Sequence, residues 1–114
     1  MRQRIFVSGP ISRGDLGANI NQARIAARKL IAAGFAVCIP QLSCYLDDSK
    51  PRAEVKGVTH AEWLDCADAW VSVCDAVLRL PGESVGADHE TLFAKSQGIP
   101  VFYSVERLVL EMRP

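Results

Sequence analysis

The feature that most constrains this chain is an alternation of periodicities. Short apolar runs with strand character are separated, one after another, by stretches in which apolar residues recur at helical spacing. Strand, helix, strand, helix, repeated to the end, implies a parallel sheet covered on both faces, because each crossover between parallel strands takes a helix that buries its own apolar stripe. The expectation is a three-layer α/β fold, flavodoxin- or Rossmann-like, with a small parallel sheet in the order 2-1-3-4. Residues Arg4 to Ser8 read as the first strand, closed by Gly9-Pro10, which suits neither a ladder nor a helix interior. A Gly-rich loop, Ser12 to Gly17, leads into a helix from about Ala18 to Ala33, with Ile20, Ala23, Ala27, Leu30 and Ile31 on one stripe and Gly34 as its stop.

The unbroken apolar run Phe35 to Ile39, ended by Pro40, reads as a strand buried on both faces. Gln41 to Val58 is a polar connection long enough to be a lid, a binding element or a plain surface excursion. Thr59-His60-Ala61-Glu62 has the form of a capping box, so the second helix starts there, with an apolar stripe of Trp63, Cys66, Ala67, Trp70 and Cys74. Ala76 to Leu80 is the third strand. The turn Pro81 to Gly86 opens the third helix, which stops at Gly98 before a fourth strand, Pro100 to Tyr103, and a terminal helix, Val105 to Met112.

Composition narrows the function. A length of 114 residues, 49% hydrophobic and 23% charged, fits one globular domain, residues 1–114, and no apolar run is long enough for a membrane span. Thirteen basic residues balance thirteen acidic ones, so no global field favours a nucleic-acid polymer or an anionic membrane. The four cysteines form no Cys-x-x-Cys pair and read as buried, reduced thiols of a cytoplasmic protein; with two histidines only, no metal site and no cofactor is expected.

In an open parallel sheet the ligand lies beyond the C-terminal strand ends where the strand order reverses, here between strands one and three. Ser8, Gly9, Pro10 and Ile11 meet the Gly82 to Gly86 turn at that point. Glu90 falls on the stripe of Gly86, Phe93, Ala94 and Gln97, the face that packs on the sheet. A carboxylate on a buried stripe needs a reason: it either caps the helix or acts as a nucleophile or base, and a place in the first turn would keep it ionised by about 0.3–1 kcal/mol. Ser84 and the glycines around it, Gly86 included, can present a hydroxyl and N–H groups to an oxyanion, or simply make a turn. The Gly-x-Gly-x-x-Gly spacing of dinucleotide sites is missing, as is a Gly-Lys-Ser/Thr phosphate loop.

Phe6-Val7-Ser8-Gly9-Pro10-Ile11, Asn19, Gly34-x-x-Val37-x-x-Pro40, Cys74-Asp75-Ala76-Val77, Pro81 through Glu90, Ala94 and Gly98-Ile99-Pro100-Val101 together resemble the nucleoside 2-deoxyribosyltransferase superfamily, most closely its small DUF4406 branch. The resemblance spans nearly the whole chain, and Ser84-x-Gly86-x-x-x-Glu90 is its most specific segment. It implies that Glu90 attacks the anomeric carbon, that Ser84 holds a phosphate or sugar, that the Ser8 to Ile11 loop lines the sugar pocket, and that Asp75 matches a strand-opening Asp. The implied reaction is N-glycosidic bond cleavage or deoxyribosyl transfer on a nucleoside or nucleotide, in a homodimer or higher homo-oligomer; two large Trp side chains on helix two point to self-association as well. Two positions depart from the pattern. Phe6 stands where many catalytic members have a Tyr beside the nucleophile, and Ala67 stands where they have a carboxylate, with Asp68 as the neighbouring candidate acid. Those departures keep a second expectation open, a nucleotide-binding module on the same scaffold that has lost turnover.

Overall fold

The computed structural model describes residues 1–11, 13–41 and 59–112. In chain order they form β1 (Arg4–Ser8), α1 (Leu16–Ala32), β2 (Ala36–Cys38), α2 (His60–Val71), β3 (Ala76–Arg79), α3 (Val85–Ser96), β4 (Val101–Phe102) and α4 (Val105–Met112). The four strands are all parallel and lie in the order β2-β1-β3-β4, as the alternation predicts. The candidate lid Gln41 to Val58 lies, beyond Gln41 itself, outside the described residues.

Side-chain alternation along β1 divides the core. Ile5 and Val7 join Ala23, Leu30, Phe35, Leu78, Phe102 and Leu108 on the α1 and α4 side of the sheet. Phe6 points the other way and packs with Val71, Cys74, Val77 and Ala94 under α2 and α3. One strand thus anchors two cores, and each fully buried aliphatic or aromatic side chain contributes roughly 1.5–3 kcal/mol. Asp15 caps α1 by accepting from the Ala18 amide at 3.1 Å, which starts the helix two residues before the apolar periodicity does. At α2 the capping box is complete: Thr59 Oγ1 accepts from the Glu62 amide, and the Glu62 carboxylate accepts from the Thr59 amide.

Three expectations are corrected. β2 is half-buried along its length rather than covered on both faces, because the sheet order makes it an edge strand. On α2 the inward residues are Trp63, Leu64, Ala67, Asp68 and Val71, so Trp63 and Ala67 of the expected stripe face inward, while Cys66 is exposed and Trp70 is 59% exposed. The inward face is turned from the expected stripe toward Leu64 and Asp68, away from Cys66 and Trp70. Third, Cys74 is a buried free thiol as expected, whereas Cys66 faces outward; Cys44 lies outside the described residues.

Candidate functional site

Ser8 ends β1 with its side chain on the α3 side of the sheet. Its Oγ donates to Glu90 Oε1 at 2.6 Å, and both residues are buried, Ser8 completely and Glu90 to 8% exposure. Among the described residues Oε2 receives no hydrogen bond, so one carboxylate oxygen is fixed and the other is left for a ligand.

Glu90 is the sixth residue of α3, not part of its first turn, since the helix begins at Val85 with Ser84 as its N-cap. The helix dipole fades within one turn, so it does not hold this carboxyl ionised. Burial instead pushes Glu90 up to about 7, against the lowering effects of the Ser8 hydrogen bond, His89 and Arg79; the nearby Asp68 raises it further. At neutral pH the group is therefore divided between acid and carboxylate, and its carboxylate is a stronger base than an ordinary Glu.

Polar side chains lie next to both Phe6 and Ala67. Phe6 offers no hydroxyl, but Ser8, two residues along the same face of β1, supplies one to Glu90. Ala67 offers no carboxylate, but the rotation of α2 brings Asp68 onto the inward stripe, where Oδ1 meets His89 Nε2 at 2.9 Å. Glu90 thus has Ser8 as a hydrogen-bond partner, while Asp68 pairs with His89. Cys38 on β2, beside Phe6 in register, also lies near Glu90: burial first and the Glu90 charge second push its thiol up, which leaves it protonated and a poor nucleophile.

The loop after β1 is held tightly. Gly9 and Pro10 are buried, and a Cβ on Gly9 would lie 3.0 Å from Leu80 Cβ and 3.2 Å from Gln41 Nε2. Gly82, at φ +115°, packs so closely on Pro10 that a Cβ there would sit 2.8 Å from Pro10 Cγ, so the turn after β3 rests on the turn after β1. Ile11 is half-buried, and its carbonyl accepts from Asn19 Nδ2 at 3.0 Å, as the Arg13 carbonyl does at 2.8 Å.

Ser84 and Glu90 are separated. Ser84 Oγ accepts from the Ala87 amide at 3.0 Å and lines an open depression of about 450 Å³ with Arg13, Arg79, Gly82, Glu83, Val85 and Asp88; Glu90 is not among its walls. Arg79 is no solvated surface residue: its side chain is 11% exposed and donates to the carbonyls of Leu80 and Gly82 and to Asp88 Oδ1, which locks the turn. Arg13 pairs with Glu83 at 3.0 Å in solvent. Gly86 is half-buried in the first turn of α3, and a Cβ there would meet only Ser84 Oγ, at 3.9 Å.

Asp75 is not brought to this site. It stands at the N-terminal ends of the strands, where its carboxylate accepts from the Arg4 amide at 2.7 Å and its own amide donates to the Arg4 carbonyl. Two residues outside the expected site set belong near the site instead. His89 is one, and Gln41 the other: it is fully buried beside Gly9, and neither its Oε1 nor its Nε2 has a partner among the described residues. A polar residue directly after the Pro that ends β2, at the ligand edge of a parallel sheet, was the available signal. No three His, Cys, Asp or Glu side chains converge to hold a metal ion among the described residues.

The family model described as "Domain of unknown function (DUF4406)" matches residues 3–103. The chain belongs to the DUF4406 family. No curated protein matches it. Among solved structures it is similar to a conserved protein from Enterococcus faecalis V583, with a TM-score of 0.69 and 15% identity over 89% of this chain. At that identity the likeness shows the shared fold, and this DUF4406 chain spans 62% of the other protein's length. Among the described residues, no DUF4406 helix here is long and apolar enough to cross a membrane.

Proposed function

We propose that this DUF4406 protein cleaves the N-glycosidic bond of a nucleoside or nucleotide, by hydrolysis or by transfer of the deoxyribosyl group, with Glu90 as the nucleophile. The observation that carries this reading is a buried carboxylate at the C-terminal strand ends with one oxygen fixed by Ser8 and the other unpaired. That is the reaction class of the nucleoside 2-deoxyribosyltransferases the sequence resembles.

The chemistry asks for two opposed charges. In its carboxylate form Glu90 attacks the anomeric carbon as the bond to the base lengthens, and the oxocarbenium-like transition state is stabilised by the same negative charge. The base leaves with a proton supplied from the Asp68 side of the site, by analogy with the acid of retaining glycosidases. The Gln41 amide, unpaired among the described residues, offers a donor and an acceptor to the sugar or base, and a buried polar group left without a partner costs about 1–3 kcal/mol. Ser84 and Arg79 place hydrogen-bond donors beside the depression where a phosphate would sit.

The test is turnover of 2′-deoxynucleosides and their monophosphates, read as free base by chromatography, with Glu90→Gln beside the wild type. Release of base by the wild type, lost by at least 10³-fold in Glu90→Gln together with a pentosyl adduct on the wild type by intact mass, is the expected result. Micromolar nucleotide binding with no base released by either protein would replace this reading with the binding module.

A further inference from the structure

On the reading that the chain cleaves an N-glycosidic bond, we infer that His89 is the catalytic acid that protonates the departing base, and that Asp68 acts through it as a positioning residue.

Asp68 and His89 face each other across the seam between α2 and α3, with Oδ1 and Nε2 2.9 Å apart and side chains 27% and 38% exposed, sheltered but open to a ligand. A carboxylate only accepts, so the shared proton belongs to Nε2, and the Asp68 carboxylate has none of its own to give. This fixes the imidazole tautomer and leaves Nδ1 without a partner among the described residues. The arrangement has the logic of an Asp–His pair in which one ring nitrogen is held so that the other can transfer a proton. His89 directly precedes Glu90 on α3, turned about 100° toward α2, and both members of the pair act electrostatically on the Glu90 carboxyl. The nucleophile and the acid are therefore adjacent along α3, and the His89 charge favours the carboxylate form of Glu90.

The step balances without any further co-reactant. The bond between the anomeric carbon and the base nitrogen breaks with its electron pair going to the base, which takes the proton from Nδ1, while a Glu90 oxygen bonds to the anomeric carbon. Neutral His89 then removes a proton from water or from an acceptor base as that molecule displaces Glu90, which returns as carboxylate and leaves His89 protonated again.

A leaving group that needs no proton separates this role from a structural one. The wild type, His89→Asn, Asp68→Asn and Glu90→Gln are each given a neutral-base deoxynucleoside and N7-methyl-2′-deoxyguanosine, whose base already carries a positive charge. In the first turnover, where release of base precedes displacement of Glu90, His89→Asn should slow base release from the neutral substrate about 10²-fold or more and from the methylated one by less than about threefold, with Asp68→Asn showing a smaller loss of the same selectivity. The methylated substrate also reports that the variants are folded. Equal losses on both substrates, or no loss on either, would overturn the assignment of His89 while Glu90→Gln still marks the nucleophile. A wild type that cleaves neither substrate would overturn the glycosidase reading, and this inference with it.

Discussion

The Ser8 hydroxyl donates a 2.6 Å hydrogen bond to Oε1 of Glu90, joining the last residue of β1 to the second turn of α3. The donor favours the carboxylate and burial favours the acid, and burial prevails: Glu90 titrates near 7.

Stability should therefore fall as pH rises. Below about 4.5 the carboxyl is neutral in both the folded and the unfolded chain; between there and about 7 the unfolded chain loses the proton while the folded one keeps it. The folded state forfeits about 3 kcal/mol across that window and nothing more above it. Urea denaturation at pH 4.5 and pH 8 should show this loss in the wild type and not in Glu90→Gln. Parallel profiles for the two proteins would disprove the assignment.

Ser8→Ala removes the one hydrogen bond on that carboxyl. Its titration midpoint should move further up, and folding at pH 8 should weaken by about 1–3 kcal/mol, with a smaller loss at pH 5 where the acid form can find other geometry. Carbon-detected NMR of the Glu90 carboxyl reads the midpoint directly, and an unchanged value would mean that the hydrogen bond does not govern it.

Gly82→Ala attacks the contact between the two turns. The new methyl would lie 2.8 Å from Pro10 Cγ at a residue held at φ +115°, so both crowding and backbone strain oppose it. A loss of about 1–3 kcal/mol is expected, together with weaker ligand binding as the Gly9-Pro10 loop shifts. Gly86→Ala, where the methyl has room, should cost less; equal costs would show that close packing is not what Gly82 provides.

The sheet order and every helix were legible because each crossover carries its own stop and cap: Gly34, the Thr59 to Glu62 box, Gly98. The rotation of α2 was not, because Trp63 and Trp70 weigh heavily in any apolar stripe, although a 12-residue helix beside a four-stranded sheet covers only a narrow seam filled by Ala67 and Val71. That error hid the Asp68–His89 pair. Glu90 was found from its place on a buried stripe, but its protonation was misread, because a shift of α3's start to Val85 takes Glu90 out of reach of the dipole. Asp75 drew attention by matching a motif, and the parallel register then set it at the far end of β1 from Ser8, about 13 Å along the strand.

Asp75 and Ser84 provide the last comparison, because the side chain of each makes one structural hydrogen bond among the described residues and only one stands where a ligand could. Asp75 accepts from the Arg4 amide at the N-terminal strand ends, and Ser84 accepts from the Ala87 amide as the N-cap of α3. Either residue changed to Ala should cost about 1 kcal/mol, since each leaves a backbone donor without its side-chain acceptor. The hydroxyl of Ser84 can still donate while it caps, toward the depression it shares with Arg79, whereas Asp75 is not among the walls of that depression. Ser84→Ala should therefore weaken binding of a deoxynucleoside monophosphate several-fold more than that of the parent nucleoside, and Asp75→Ala should leave both unchanged. Titration calorimetry on the two variants, alongside thermal denaturation, reads both effects. Equal loss for nucleoside and monophosphate in Ser84→Ala would reduce the serine to its cap, and any ligand-specific loss in Asp75→Ala would return Asp75 to the site.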